Sequence, residues 1–195
     1  AYAPHHRQKV AMVFSAMRQH ADALLGASFR VRYVRHDDRA SSGSLPGEIL
    51  RAAGDLQPRE IVMTRSAEWR LERAFDAMEL AAPAPVLRRA DDRYLCDLED
   101  FAGWADGRRE LRMEFFYREM RRRYGLLMEG REPAGGRWNF DAENRRRLPK
   151  GVRPPERLII PPNPATRETI AEVARLMPEG FGDLAAFGWA TNADE

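Results

Sequence analysis

Apolar positions recur at helical spacing over residues 4–26, and a strict alternation follows them. The helical stripe predicts an amphipathic helix that ends at Gly26, and it consists of Val10, Val13, Phe14, Met17, Ala21 and Leu24. Phe29, Val31 and Tyr33 then alternate with arginines, which predicts a strand with one exposed face over residues 29–33. The chain therefore opens on a helix followed by a strand.

Two further helix and strand signals follow in the same rhythm. Ser44 is placed to cap a second helix, and a buried strand is predicted over residues 61–63. Ser66 is placed to cap a third helix with Leu71, Phe75 and Met78 on one side, and a third short strand is predicted over residues 85–87. This alternation predicts an α/β fold with a parallel sheet and crossover helices.

A crossover unit begins with a strand, whereas this chain begins with a helix. We therefore expect at least one strand upstream of residue 1, so that the sheet formed by these residues would lack its first strands. The alternative is that the sheet has three strands and that the first helix only packs on its surface.

The second half of the chain predicts helices and an irregular arm. A short helix should end near Gly107, a long helix should span residues 108–124 before Gly125, and a last helix should span residues 166–177 with Thr166 as its cap. Residues 130–162 are rich in Gly, Pro and Arg without a steady period, which indicates an arm or linker. We place a domain boundary between residues 1–95 and 96–195.

Composition excludes several classes of protein. The 195 residues are 44% hydrophobic and 9% aromatic, which excludes a wholly disordered chain. The sequence contains no apolar run of the roughly 20 residues that a membrane helix needs, so we predict no membrane association and a cytoplasmic location. Cys96 is the single cysteine, which excludes an intrachain disulfide and an all-cysteine metal site.

The sequence contains no self-contained catalytic constellation. His5 and His6 are adjacent, so on a helix they point about 100° apart and do not share a metal in the usual manner. The Asp pairs at residues 37–38 and 91–92 follow predicted strands, where acidic residues can bind ribose, but no Gly-x-Gly-x-x-Gly precedes them. Acidic loops that turn the chain are the alternative. We predict neither catalytic nor metal-binding residues.

Residues 108–147 carry the densest charge signal. They contain 12 arginines against 7 acidic residues, interleaved with Phe115, Phe116, Tyr117, Tyr124, Trp138 and Phe140. Basic residues with aromatics are typical of a nucleic-acid surface, for which we select Arg137, Arg145 and Lys150. The alternative is that Glu–Arg pairs cover a solvated helix while the aromatics fill a core. The paired glycines Gly135 and Gly136 indicate a specifically folded loop.

Several uncommon strings occur along the chain. They are MEFFYREMR (113–121), LMEG (127–130) and GGRWNFDAENR (135–145), with YAPHHRQK (2–9), FSAMR (14–18), YVR (33–35), GS (43–44), EWR (68–70) and DDRYLC (91–96). These strings resemble the deoxyribodipyrimidine photolyase-related proteins, the bacterial iron–sulfur branch of the cryptochrome/photolyase superfamily. They occur in the family's order along nearly the whole chain. The resemblance implies a Rossmann-like antenna domain followed by a helical, Arg-rich interdomain arm.

The resemblance also implies the chemistry of the whole family protein. An excited FAD donates an electron to a photoproduct in damaged DNA, an iron–sulfur cluster is held by four cysteines, and a ribityl-lumazine serves as antenna pigment. On the same match, Tyr2, His6 and Lys9 are the residues of this chain expected near the pigment. The family's first strand with its Leu-Gly-Asp-Gln-like motif and its helical FAD domain have no counterpart in these residues.

We therefore expect an N-terminal fragment of a flavoprotein for light-driven DNA repair or light sensing, a fragment that binds no cofactor and is not catalytic by itself. Loss of neighbouring strands would also favour a homo-oligomer made through the sheet edge or the first helix. The alternative is a stand-alone α/β interaction module whose Arg-rich arm binds a partner protein or nucleic acid.

Overall fold

A computed structural model describes residues 3–195, which form two compact units. One unit contains residues 3–38 with Gly151–Glu195, and the other contains Arg39–Lys150. The predicted boundary near residue 95 stays a prediction. The elements are α1 (Arg7–Gly26), α2 (Leu45–Leu56), β1 (Ile61–Thr64), α3 (Trp69–Ala81), β2 (Val86–Arg89), α4 (Leu98–Ala105), α5 (Met113–Tyr124), β3 (Met128–Glu129), β4 (Glu132–Pro133), a 3-10 turn (Ala134–Gly136), α6 (Asp141–Asn144) and α7 (Pro164–Leu176).

The first unit is built around the packing of α1 on α7. Ala11, Val173, Leu184 and Phe187 form its buried core. The segment after α7 also reaches the start of α1, where the Arg7 amide donates to the Phe181 carbonyl at 3.0 Å. The two ends of the chain are thus joined in one unit.

The packing face of α1 coincides only in part with the predicted stripe. Val10 and Phe14 of the stripe pack against the core and Ala21 is buried, whereas Val13 and Met17 are 40% and 50% exposed. Ala11 and Ser15, which the stripe leaves out, are fully buried, because α1 packs on a helix, where small residues allow the backbones to approach closely. The predicted strand over residues 29–33 is also wrong: within residues 3–195 this segment pairs with no strand. Alternation alone does not make a strand without a hydrogen-bonding neighbour.

The second unit contains the parallel pair that the sequence predicted. β1 pairs with β2 in parallel, with Ile61 opposite Val86, and the crossover between them contains α3. Phe75 and Met78 of α3 are buried, as the helical spacing predicted. The structure is therefore a mixed α/β fold with a small parallel sheet. The Rossmann-like antenna assignment stays a prediction.

Several helix starts differ from the prediction. Ser44 caps α2 by accepting from the Gly47 amide, as expected. The third helix instead begins at Trp69 without a side-chain cap, α5 begins at Met113 rather than residue 108, and the last helix begins at Pro164 with Asn163 as its cap. Proline fits a first helical turn because its missing N–H has no partner there in any case. Among residues 3–195, none of the helices has the length and apolar character that crossing a membrane requires.

Candidate nucleic-acid interface

The Arg-rich segment folds into a helix, a tight hairpin and a loop. α5 ends at Gly125, whose φ of +65° turns the chain back toward the helix. β3 and β4 then pair antiparallel, with Glu129 opposite Glu132. The loop after them carries the Gly-Gly-Arg-Trp-Asn-Phe-Asp string, so the three segments are close in space.

Arg121 holds these segments together. It is only 5% exposed although it lies in a run of three arginines. Its guanidinium donates to the carbonyl oxygens of Leu126, Leu127 and Trp138, with the contact to Trp138 at 3.3 Å. Because one planar cation satisfies carbonyls of both the hairpin and the loop, Arg121 fixes the geometry of the site.

The indole of Trp138 is surrounded by arginines. The guanidinium carbons of Arg118, Arg121 and Arg122 lie 5.4, 5.2 and 4.6 Å from its ring centroid. A cation over an aromatic face is attracted by the ring quadrupole, and tryptophan is the best such ring. Three arginine side chains therefore lie close together around Trp138 in this unit.

The paired glycines shape the loop, as the sequence predicted. Gly135 and Gly136 have φ values of +70° and +69°, which side chains other than glycine rarely adopt. A Cβ on Gly135 would lie 3.3 Å from Cζ of Phe140. The Phe140 ring in turn lies under Arg137, whose guanidinium carbon is 4.5 Å from the ring centroid.

A cavity of about 340 Å³ opens between α5, the hairpin and the loop. Its walls include the aromatic rings of Tyr117, Trp138 and Phe140. Its polar lining residues include Glu114, Asn139 and Asp141. The Asn139 Nδ2 lies 3.5 Å from Glu114 Oε1, which also accepts two hydrogen bonds from Arg118. The site combines aromatic walls with a few polar groups at fixed positions, which is typical of ligand cavities.

Part of the alternative interpretation also holds. Arg118 pairs with Glu114 at 2.8 Å across one turn of α5, and Arg123 pairs with Asp100 at 2.9 Å. Phe116 packs edge-on against Phe101 and Trp104, with ring centroids 5.3 and 5.0 Å away. Some of the charge is therefore internally paired, and Phe116 packs within its own unit.

Comparison with known proteins identifies the family. The sequence profile described as "Deoxyribodipyrimidine photo-lyase-related protein" matches residues 1–189. The chain belongs to this family. It is also 46% identical over 190 residues to a protein named "(6-4) photolyase" from Agrobacterium fabrum (strain C58), an alignment that covers 97% of this chain and 38% of that relative. The chain thus spans well under half the length of this photolyase.

The predicted nucleic-acid residues of this photolyase-related chain are all exposed. Arg137 lies against Phe140, whereas Arg145 follows α6 directly and Lys150 lies in the irregular segment after it. The sequence did not lead us to predict that Arg121 holds the hairpin and the loop together, or that Asn139 and Asp141 line a cavity. The glycine predicted to follow α5 was a usable signal, because a left-handed glycine after a helix turns the chain back toward the last helical turn.

Two of the three predicted pigment residues, His6 and Lys9, lie in the other unit. Tyr2 lies outside the described residues. The His6 ring accepts a hydrogen bond from the Gln8 amide at the start of α1 and packs edge-on against Phe181, 5.3 Å between centroids. Lys9 is exposed, with its Nζ 3.4 Å from His5 Nδ1. His6 thus already has a structural role, and the pigment contacts stay predictions.

The family's iron–sulfur cluster does not fit the residues of this chain. Cys96 is the only cysteine in the sequence, whereas the cluster implied by the resemblance needs four. The thiol is half-buried, and burial, followed by the charges of Asp100 and Asp97, raises its pKa. These groups favour the protonated thiol, which is a poor ligand and nucleophile.

Proposed function

We propose that this chain belongs to a photolyase-like flavoprotein that repairs DNA photoproducts with light. Within that protein, residues 108–150 bind the DNA backbone and take no part in catalysis. The observation that carries the proposal is the 46% identity to a protein named as a photolyase, because it includes the whole Arg-rich segment. When bound, the flavin of such proteins supplies the electron that splits the lesion, and we assign no step of that chemistry to residues of this chain.

The charge of the segment supports a backbone-binding role. Residues 108–147 carry a formal charge of +5. Arginine forks match phosphate oxygens, and neutralising phosphates releases condensed counterions. Arg137 and Arg122 are exposed beside the aromatic rings of Phe140 and Trp138, so their side chains are held at the surface by ring contacts. Such ordering reduces the entropy that a flexible arginine loses on binding.

The buried and the exposed arginines have different tasks in this proposal. Arg121 has its donors engaged by backbone carbonyls, so it positions the loop. Arg137, Arg145 and Lys150 are the phosphate ligands. Tyr2, His6 and Lys9 remain the proposed neighbours of the antenna pigment.

The test is binding of a fluorescent DNA duplex to the full chain, measured by anisotropy over a range of salt concentrations. We expect binding that weakens steeply with salt and does not distinguish damaged from undamaged duplex. The double variant Arg137→Glu with Arg145→Glu should weaken it at least about tenfold and lower the salt slope by about 2. The double variant Arg30→Glu with Arg59→Glu is the matched control, because both are exposed arginines outside the segment and the change in net charge is the same.

Two results would contradict the proposal. One is the absence of salt-dependent DNA binding, which would favour the alternative of an arm that binds a partner protein. The other is an equal loss of affinity in the control double variant and in Arg137→Glu with Arg145→Glu, which would make the effect one of net charge. Illumination of photoproduct DNA with the chain alone should leave the lesion intact.

A further inference from the structure

The cavity beside Trp138 has a composition that backbone binding does not require. Phosphate contacts need only cations, yet this cavity is lined by the aromatic residues Tyr117 and Phe140 together with the polar residues Asn139 and Asp141. Tyr117 and Phe140 are 41% and 40% exposed, so part of each ring is available to a ligand. Asn139 and Asp141 belong to the same lining as these two rings.

The cavity is held in shape by contacts that involve no ligand. Arg121 joins the hairpin and loop carbonyls, and its guanidinium carbon lies 5.3 Å from the Tyr117 ring centroid. The left-handed Gly135 lets Phe140 lie close to the loop backbone. A rigid cavity of this kind loses little entropy when a ligand enters it.

A planar ligand with hydrogen-bonding edges matches these walls. Aromatic side chains stack on nucleobases of any sequence, which makes them the common element of single-strand binding sites. Asparagine side chains pair with the edge of adenine, and carboxylates accept from exocyclic amino groups of bases. The arginines around the cavity complement the phosphates on either side of such a base.

We propose that this cavity binds one unpaired nucleobase of the DNA that the Arg-rich segment holds. The inference rests on the proposed DNA binding, and it names the part of the DNA that enters the cavity. A paired base has its edge and both faces covered, so the occupant is a base in a single strand or one displaced from a duplex. Tyr117 or Phe140 stacks on the base, and Asn139 and Asp141 bind its edge.

The experiment uses the full chain with three DNA probes of one sequence, each with one 2-aminopurine and one end label. The probes are a single strand, a duplex in which the 2-aminopurine is bulged, and a fully paired duplex. Anisotropy of the end label reports binding of DNA as such. 2-Aminopurine fluorescence reports whether the base stacks, and the two unpaired probes separate the two sources of the base.

We expect quenching of 2-aminopurine at saturating protein for at least one unpaired probe and none for the paired duplex. Tyr117→Ala and Asn139→Ala should each weaken the quenched complex by about tenfold, while Tyr117→Phe, which keeps the ring, should behave as the native chain. If Tyr117→Ala does not fold, as judged by circular dichroism, the exposed Asn139 decides the result.

The failures of the two proposals are distinguishable. Anisotropy that reports binding without any quenching, or quenching unchanged in Asn139→Ala, overturns the base-binding inference and leaves backbone binding intact. Equal quenching of the paired duplex also overturns it. Absence of an anisotropy change with all three probes overturns both proposals.

Discussion

Glu172 is the residue on which the packing of α1 and α7 depends most directly. It is 2% exposed, and its Oε2 lies 2.5 Å from one guanidinium nitrogen each of Arg18 and Arg35. Arg18 also donates to the Thr169 hydroxyl at 3.1 Å. One buried carboxylate thus connects helix α1 and the segment after it to α7, and it balances charge that would otherwise be buried alone.

We expect Glu172→Ala to lower the free energy of unfolding by about 3 kcal/mol, because it leaves Arg18 without its partner in a buried site. Glu168→Ala is the matched control, since Glu168 also pairs with Arg35 but is 65% exposed, and it should cost less than about 1 kcal/mol. Urea unfolding followed by circular dichroism measures both. Equal losses of unfolding free energy in the two variants would show that burial of Glu172 does not determine its contribution to stability.

Helix α2 illustrates how an element is fixed at its start by contacts that the sequence only partly reveals. Ser44 caps the helix, and Glu48 in the first turn accepts from the Ser42 amide at 2.5 Å and from Arg51 Nε at 3.0 Å. A Cβ on Gly47 would lie 2.5 Å from the Ser42 hydroxyl oxygen. The preceding loop is therefore folded closely onto the helix start.

The hydrogen bond from Arg51, then that from the Ser42 amide, lowers the pKa of Glu48 from 4.5 to about 2. Because the folded pKa is the lower one, the ionised carboxylate stabilises the loop fully above about pH 4.5 and loses this effect as the pH falls to about 2. An NMR titration of the Glu48 carboxyl should show this low midpoint. In Arg51→Gln the pKa should rise toward its ordinary value, whereas Arg59→Gln should leave it unchanged; the reverse pattern would contradict Arg51 as the main cause.

At the scale of the whole molecule, the chain ends are held in one unit and the middle forms the other. The first unit joins α1 to α7 and to the segment after α7, where Arg7 Nε donates to the Gly182 carbonyl at 2.8 Å. Residues 145–163 lie between the last residues of the second unit and α7 and contain neither helix nor strand. The second unit is thus joined along the chain to α7 by a stretch without regular structure.

We expect brief trypsin treatment to cut within residues 145–153, where exposed arginines lack helix and strand. The two pieces should remain together in native chromatography, since α1 and α7 share the core of Ala11, Val173, Leu184 and Phe187, and should separate only under denaturing conditions. Glu172→Ala should let them separate at a lower urea concentration. Separation of the nicked native chain without denaturant would contradict this assembly.

The sequence by itself determined the local elements and the family. Helical periodicity placed α2, α3 and α4, the Ser44 cap was correct, and the βαβ rhythm predicted the parallel pairing of β1 with β2. Phe75 and Met78 are buried as their spacing required. These features follow from interactions between residues near each other in the chain, and the motif strings identified the photolyase-related family for the same reason.

Only the tertiary structure decided which helix faces are buried and which charged side chains are enclosed. α1 turns Ala11 and Ser15 toward α7 while Val13 and Met17 stay exposed, because its partner is a helix 150 residues away in the chain. Residues 29–33 form no strand among residues 3–195, because a strand exists only with a neighbour. Arg121 lies in a run of three arginines, which is typical of an exposed surface. It is nevertheless buried, because carbonyl oxygens of the following hairpin and loop accept its hydrogen bonds. Such long-range contacts have no local signature in the sequence.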